Sequence, residues 1–333
     1  MKFNIGEWSE LFVVASIFNN NRIKIAHSYN YIKVIKIYFK NKKLVYMISE
    51  MDINKDNVKV YPLYTSQELF GFLDELSKST GASFSLTKGN QFIGKYDIPV
   101  VKETGNKGDI DTNTIFPNET YGRNVNFSIK SFIGNLPTLI NSSQATNFIF
   151  EIKGFIGDLI KINSISTKSK IKDRLHRIRS QSTFIEIIAV ENNVFHDNML
   201  KIDTNFLKMI APILLNFYSS KLSSVVDLVE NTVLDDYSKD IIKLNVKRFL
   251  RAFALGMTPK KPWNGDNVTG GSIVVERTGD LSAYTLYDMK KYDDFLYENC
   301  KFDTPSSSRH KFGKVYQEES RYYIKLNLQI RFK

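Results

Sequence analysis

The last ten residues of the chain, Ile324-Lys-Leu-Asn-Leu-Gln-Ile-Arg-Phe-Lys333, alternate without a break, apolar at every even position and polar at every odd one. Side chains repeat every two residues along a strand, so this pattern predicts one β-strand with a buried face and a wet face. An all-helical fold is excluded. Near the other end Trp8, Leu11, Phe12 and Ala15 fall at i, i+3, i+4 and i+7, the spacing of a helix with one buried stripe. The two periods together predict a mixed α/β chain.

Between these ends both textures recur. Residues 31–49, rich in β-branched and aromatic side chains, read as two strands or as a helix and a strand. Ser66 and Glu68 open an apolar-periodic run, Leu69 to Leu76, that closes at Gly81 as a helix. In 126–131 Phe127 and Ile129 alternate with Ser128 and Lys130, and 145–152 reads as the next strand. A basic helix over 168–179 carries Ile171, Leu175 and Ile178 as its stripe and six Lys and Arg on its other faces. Residues 203–256 predict two or three helices ended by Gly256, and Thr278-Gly-Asp280 joins a hairpin of 274–276 and 284–286.

With 42% apolar residues in 333, the chain can bury the core of one large domain or two smaller ones. The single Cys300 allows neither an internal disulfide nor a Cys-based zinc site, which points to a reducing compartment, the cytoplasm. The apolar stretch Leu11–Phe18 is far short of the roughly 20 residues that span a bilayer, and Glu7 and Glu10 precede it where a signal peptide carries basic residues. No membrane role is expected.

The net charge of +11 suggests a polyanionic partner such as nucleic acid, or serves solubility alone. Residues 1–150 hold 17 of the 46 basic and 13 of the 35 acidic side chains, so the excess is no detachable tail. Gly89-Asn-Gln-Phe-Ile-Gly-Lys95 matches a phosphate-binding P-loop for seven positions, but Tyr96 stands where Ser or Thr must reach magnesium, and a surface turn is expected instead. The histidines, His27, His176, His196 and His310, show no metal-ligand spacing.

A sharper constellation is an acidic strand start, Asp109 and Asp111, followed about 20 residues later by Ser128 and Lys130. Hydrolysing a phosphodiester takes a divalent metal held by carboxylates and a cation that orients the attacking water. If the two strands form a hairpin, carboxylates and an ammonium converge where magnesium could sit. The polar loop Thr304–Gly313 carries Ser307, Arg309, His310 and Lys311 without apolar periodicity, and Arg is the side chain that most often reads guanine. Asn141, Gln144 and Asn147 could hold DNA backbone or bases, or could cap and satisfy the core. In the basic helix, Lys170 and Arg174 are candidates for positioning phosphates.

The block FSIKSFIGNLPTLINSSQATNFIFEI (127–152), INSISTKSKIKDRLHRI (162–178), RFLRAFALGMTP (248–259), TPSSSRHKFGKVY (304–316) and the opening GEWSE (6–10) together resemble the HpaII-type family of type II restriction endonucleases, in order and over almost the whole chain. The resemblance implies a PD-(D/E)XK nuclease: a mixed central sheet flanked by helices, cutting both strands of a short palindromic DNA site, CCGG in this family, with Mg2+. It implies one endonuclease unit over 1–333, with a nuclease core over about 1–180 whose active-site strands lie within 107–152. The helical and then β-rich part, 181–333, would contribute to DNA recognition.

By position, Asp109 would be the first acid, with Asp111 as the fallback, and Lys130 the closing lysine. Ser128 departs from the class, which has Asp or Glu there, and Glu7 or Glu10 on the first helix would complete the metal shell. A homodimer on DNA is implied, as is a cognate DNA methyltransferase as genetic partner. The alternatives are a non-catalytic DNA-binding protein, which the Ser128 departure favours, and a repair or mobile-element nuclease on the same fold.

Overall fold

The structure, a computed structural model, describes residues 1–40, 43–47, 63–100 and 108–333. Parts of two expected segments, 41–42 with 48–49 of the first and residue 107 of the active-site strands, lie outside the described residues. The chain begins with α1 (Ile5–Asn19), β1 (Arg22–Ile25), β2 (Tyr31–Phe39), β3 (Lys43–Met47), α2 (Ser66–Lys78) and α3 (Thr87–Tyr96). Next come β4 (Ile110–Ile115), β5 (Arg123–Ser131), β6 (Thr138–Ile140), β7 (Asn147–Lys153), α4 (Leu159–Asn163), α5 (Lys170–Arg179) and β8 (Phe184–Val190). The helices α6 (Asn193–Leu200), α7 (Phe206–Ser219), α8 (Val225–Asn231) and α9 (Lys239–Ala254) follow. The chain closes with β9 (Gly271–Val275), β10 (Leu281–Thr285), α10 (Met289–Asn299), β11 (Cys300–Phe302), α11 (Ser307–His310), β12 (Val315–Glu318), β13 (Arg321–Asn327) and β14 (Ile330–Phe332).

Two compact units divide these elements: residues 1–137, 254–256 and 266–292 form the first, and 138–253, 257–265 and 293–333 the second. In the first, strands run in the order β1-β10-β9-β5-β4-β2-β3, and β2 also pairs with β1, so six of them close on themselves. The expected mixed sheet is therefore a barrel-like closed sheet, parallel at β1–β10 and β5–β9 and antiparallel elsewhere. The pairing of both β1 and β5 with strands far along the chain produces this closure, and local periodicity carries no trace of it.

Apolar packing against α2, α3 and β5 buries α1 from Trp8 through Phe18 on nearly every side, where the sequence predicts a single stripe. The segment 89–95, read as a surface turn, lies within the helix α3. A Cβ on Gly89 would lie 2.4 Å from the Trp8 ring, so this glycine lets two helices approach and cradles no phosphate.

The second unit contains the antiparallel sheets β12-β13-β7-β8 and β11-β14-β6. The terminal alternation, expected as one strand, is two: β13 pairs with β7 and β14 with β6, separated by Leu328 and Gln329. Its polar side is not wholly wet either, since Asn327 is fully buried. Phe195, Phe206 and Phe249 stack among the helices, and Ile171, Leu175 and Ile178 of α5 are buried as expected. Arg174 joins that stripe, at 4% exposure.

Candidate active site and nucleic-acid interface

The hairpin expected from the acidic and Ser/Lys segments forms: β4 and β5 are antiparallel, with Ile110 opposite Phe127 and Asp111 opposite Asn126. Ile110, Phe127 and Ile129 enter the core, which turns Asp111, Asn126, Ser128 and Lys130 to the other face. Asp109 sits just before β4. Its N–H donates to the Phe127 carbonyl at 2.9 Å, and its Oδ2 accepts the Ile129 N–H at 2.8 Å, between Ser128 and Lys130 in sequence. Asp109, Asp111 and Lys130 are all half-buried, and the Lys130 side chain makes no hydrogen bond or ion pair among the described residues. Asp111 opens onto a cleft of about 430 Å³ floored by Thr112, Val125 and Asn126, which Asp109 does not line.

Ser128 is buried on that face. Its Oγ lies 2.7 Å from Ser272 Oγ on β9, which lies 2.8 Å from Tyr292 Oη, a chain of three buried hydroxyls. The acids of α1 have local partners. Glu7 closes a capping box with Asn4, each accepting the other's backbone N–H at 3.0 Å, and Glu10 pairs with Lys40 at the end of β2. Among the described residues no three His, Cys, Asp or Glu side chains gather closely enough to hold a metal ion.

In the second unit, the basic helix and the polar loop meet. Lys170, Ser307 and Ser308 line two adjoining clefts. One, of about 480 Å³, is rimmed by Lys168, Lys170, Lys172 and Lys221 and has no acidic lining residue among those described. The other, of about 570 Å³, is lined by Arg174, Lys311, Lys314 and Lys325, with Glu318 its one acid among the described residues. Arg309 and Lys311 are exposed, and their side chains make no hydrogen bond or ion pair among the described residues. His310 Nε2 lies 3.1 Å from Ser142 Oγ, and burial, then the neighbouring Arg309, pulls its pKa below the usual histidine value. Gln144 is exposed and Asn147 fully buried.

A family model described as HpaII restriction endonuclease matches residues 4–332. The chain belongs to this family. The type II restriction enzyme HpaII of Haemophilus parainfluenzae is 32% identical over 357 aligned residues, which cover 99% of this chain and 98% of that protein. No solved structure matches. As a member of the HpaII restriction endonuclease family, the chain is a site-specific deoxyribonuclease, and among the described residues no helix is long and apolar enough to cross a membrane.

Several residues around the candidate positions of this HpaII-family chain escape a sequence reading. Ser272 and Tyr292 reach Ser128 through a parallel pairing of β5 with β9, 144 residues apart, and no local signal announces it. Arg174 did carry a signal, because Ile171, Arg174, Leu175 and Ile178 fall at i, i+3, i+4 and i+7, which puts the arginine on the buried stripe.

Proposed function

We propose that this chain is a magnesium-dependent type II restriction endonuclease of the PD-(D/E)XK class that cuts double-stranded DNA at a short palindrome, CCGG by family resemblance. The observation that carries the catalytic assignment is the β4–β5 hairpin, which brings the Asp109 carboxylate to the backbone of Ile129, next to Lys130 in the chain. The donor set suits magnesium: this ion is commonly held by only one or two carboxylates and takes its remaining oxygens from substrate phosphate and water. Asp109 and Asp111 would hold it. When bound, it would offset charge on the scissile phosphate and lower the pKa of water.

Lys130 would orient the attacking water through its ammonium protons. Water adds to phosphorus, the P–O3′ bond breaks in line, and the departing 3′-oxygen takes a proton, leaving a 5′-phosphate. Glu10, paired with Lys40, or Glu7, tied into its cap, would complete the metal shell from α1, while the Ser128 hydroxyl packs where the wider class has an acid. The second unit would supply DNA contacts through Arg309, His310, Lys311 and Ser307, with Lys170 and Gln144 beside them. A palindromic target favours a homodimer on DNA, and host survival requires a cognate methyltransferase, in the cytoplasm where both would act.

Incubating the protein with plasmid and magnesium, then sequencing the ends, tests the proposal. Discrete fragments ending in CCGG-derived 5′-phosphates are expected. Specific binding without any product would favour the non-catalytic reading, and a continuous smear the repair or mobile-element reading.

A further inference from the structure

Two residues whose types suit direct DNA contact, Asn147 and Arg174, have their side chains engaged inside the protein, and both engage the same loop. Asn147, fully buried at the start of β7, donates one amide proton to the carbonyl of His310 at 3.0 Å and the other to Glu191 Oε2 at 2.7 Å. Its Oδ1 accepts from Asn327 Nδ2 at 2.7 Å, and Glu191 pairs in turn with Lys325 at 3.1 Å. Arg174 donates from Nη1 to the Gly313 carbonyl at 2.5 Å and from Nη2 to the carbonyls of Asn163 and Ile165 at 2.9 and 2.7 Å. Burial pulls its pKa down without neutralising it, since a guanidinium starts so far above neutrality.

Ser142 meets the His310 ring from one side, and the Gly313 N–H donates to the Lys325 carbonyl at 2.8 Å from another. The loop is thus held at 310 and 313, while the side chains of Arg309 and Lys311 point away without partners among the described residues. Lys311 itself adopts the left-handed conformation, φ 53°, which aims consecutive side chains apart.

We propose that Asn147, Arg174 and Ser142 are positioning residues that hold the loop 304–313 in its base-reading conformation before DNA arrives. This rests on the reading of that loop as a DNA contact. A side chain that must place two donors on one base edge loses discrimination when its backbone wanders, whereas a phosphate contact tolerates the same wandering. The clamp therefore governs specificity and leaves the sequence-independent part of affinity alone.

The test uses the full chain with calcium in place of magnesium and measures binding to a duplex carrying the mapped site and to one with a single mismatch, over a range of salt. Arg174→Lys keeps the charge but gathers its donors on one nitrogen, so it loses the fork that spans the Gly313 carbonyl on one side and the Asn163 and Ile165 carbonyls on the other. It is expected to reduce the ratio of matched to mismatched affinity by about tenfold, with an unchanged slope of log affinity against log salt. Ser142→Ala, which removes one bond from a half-buried side chain, should lower the same ratio about twofold to threefold while the protein stays folded. A smaller salt slope in Arg174→Lys, with both duplexes weakened alike, would make Arg174 a phosphate contact and overturn the proposal, as would an unchanged ratio in both variants. Arg309→Ala separates the two layers. If it leaves discrimination intact, the loop does not read DNA and the underlying reading fails; if it costs discrimination while both clamp variants do not, only the clamp fails.

Discussion

The two units differ in how their candidate functional side chains are held. In the first, Asp109, Asp111 and Lys130 stay half-exposed on a hairpin, and the Lys130 ammonium has no partner among the described residues. In the second, Asn147, Asn327, Glu191 and Arg174 bond to one another or to backbone carbonyls, and the neighbouring Arg309 and Lys311 are left outside. A group that takes part in chemistry must be reachable by substrate, while a group that reads sequence must hang from a backbone that does not move. The difference separates rate from selectivity, and each can be attacked by itself.

The largest effect is expected in the first unit. Lys130→Ala and Asp109→Ala should each lower cleavage by roughly 10²–10⁴-fold, with specific binding in calcium retained. A variant that cuts at the wild-type rate would remove the catalytic assignment of its residue. Arg309→Ala should do the reverse, costing about 10- to 100-fold in discrimination between matched and mismatched DNA while single-turnover cleavage at saturation stays near wild type. Equal loss of rate and selectivity in either unit would dissolve the comparison.

Smaller effects sharpen it. Lys311→Ala should weaken all duplexes alike and reduce the salt slope by about one, because one phosphate contact is lost, as measured by anisotropy titrations at several salt concentrations. Glu68 offers a control away from both sites. The Thr65 N–H and then Lys95 lower its pKa from 4.5 to about 2, so its stabilisation is complete above pH 4.5 and is lost as pH falls through about 2. Glu68→Gln should therefore lower Tm by about 1–2 °C at pH 7, a difference that closes in acid, and should leave cleavage unchanged.

Local features were legible in the sequence wherever one face of an element settles its pattern. The β4–β5 hairpin, the β9–β10 hairpin around Thr278-Gly-Asp280 and the stripe Ile171, Leu175 and Ile178 all follow from period and turn chemistry. Closure of the sheet did not, because it depends on pairings such as Lys24 with Ser282 that no window of the chain contains. Burial of polar groups was the second blind spot. Asn327 falls on the polar side of the terminal alternation and Asn147 could serve DNA or the core, yet each is buried with the other supplying a hydrogen bond, a condition visible only when β13 lies beside β7. For the same reason Ser128 reads as a missing carboxylate until Ser272 and Tyr292 appear beside it.

The closed sheet also dictates when this enzyme becomes whole. Synthesis proceeds from the N-terminus, and β5, which carries Lys130, acquires its β9 neighbour only after Gly271 has been made. Until then β1 lacks its β10 partner too, and the ladder holding the hairpin has raw edges on both strands. Residues 138–253, all in the second unit, are made between β5 and its β9 neighbour. The first unit has all its residues once Tyr292 is made, whereas the second still awaits β13 and the loop 304–313, so the half that would cut DNA can be complete before the half that would grip it.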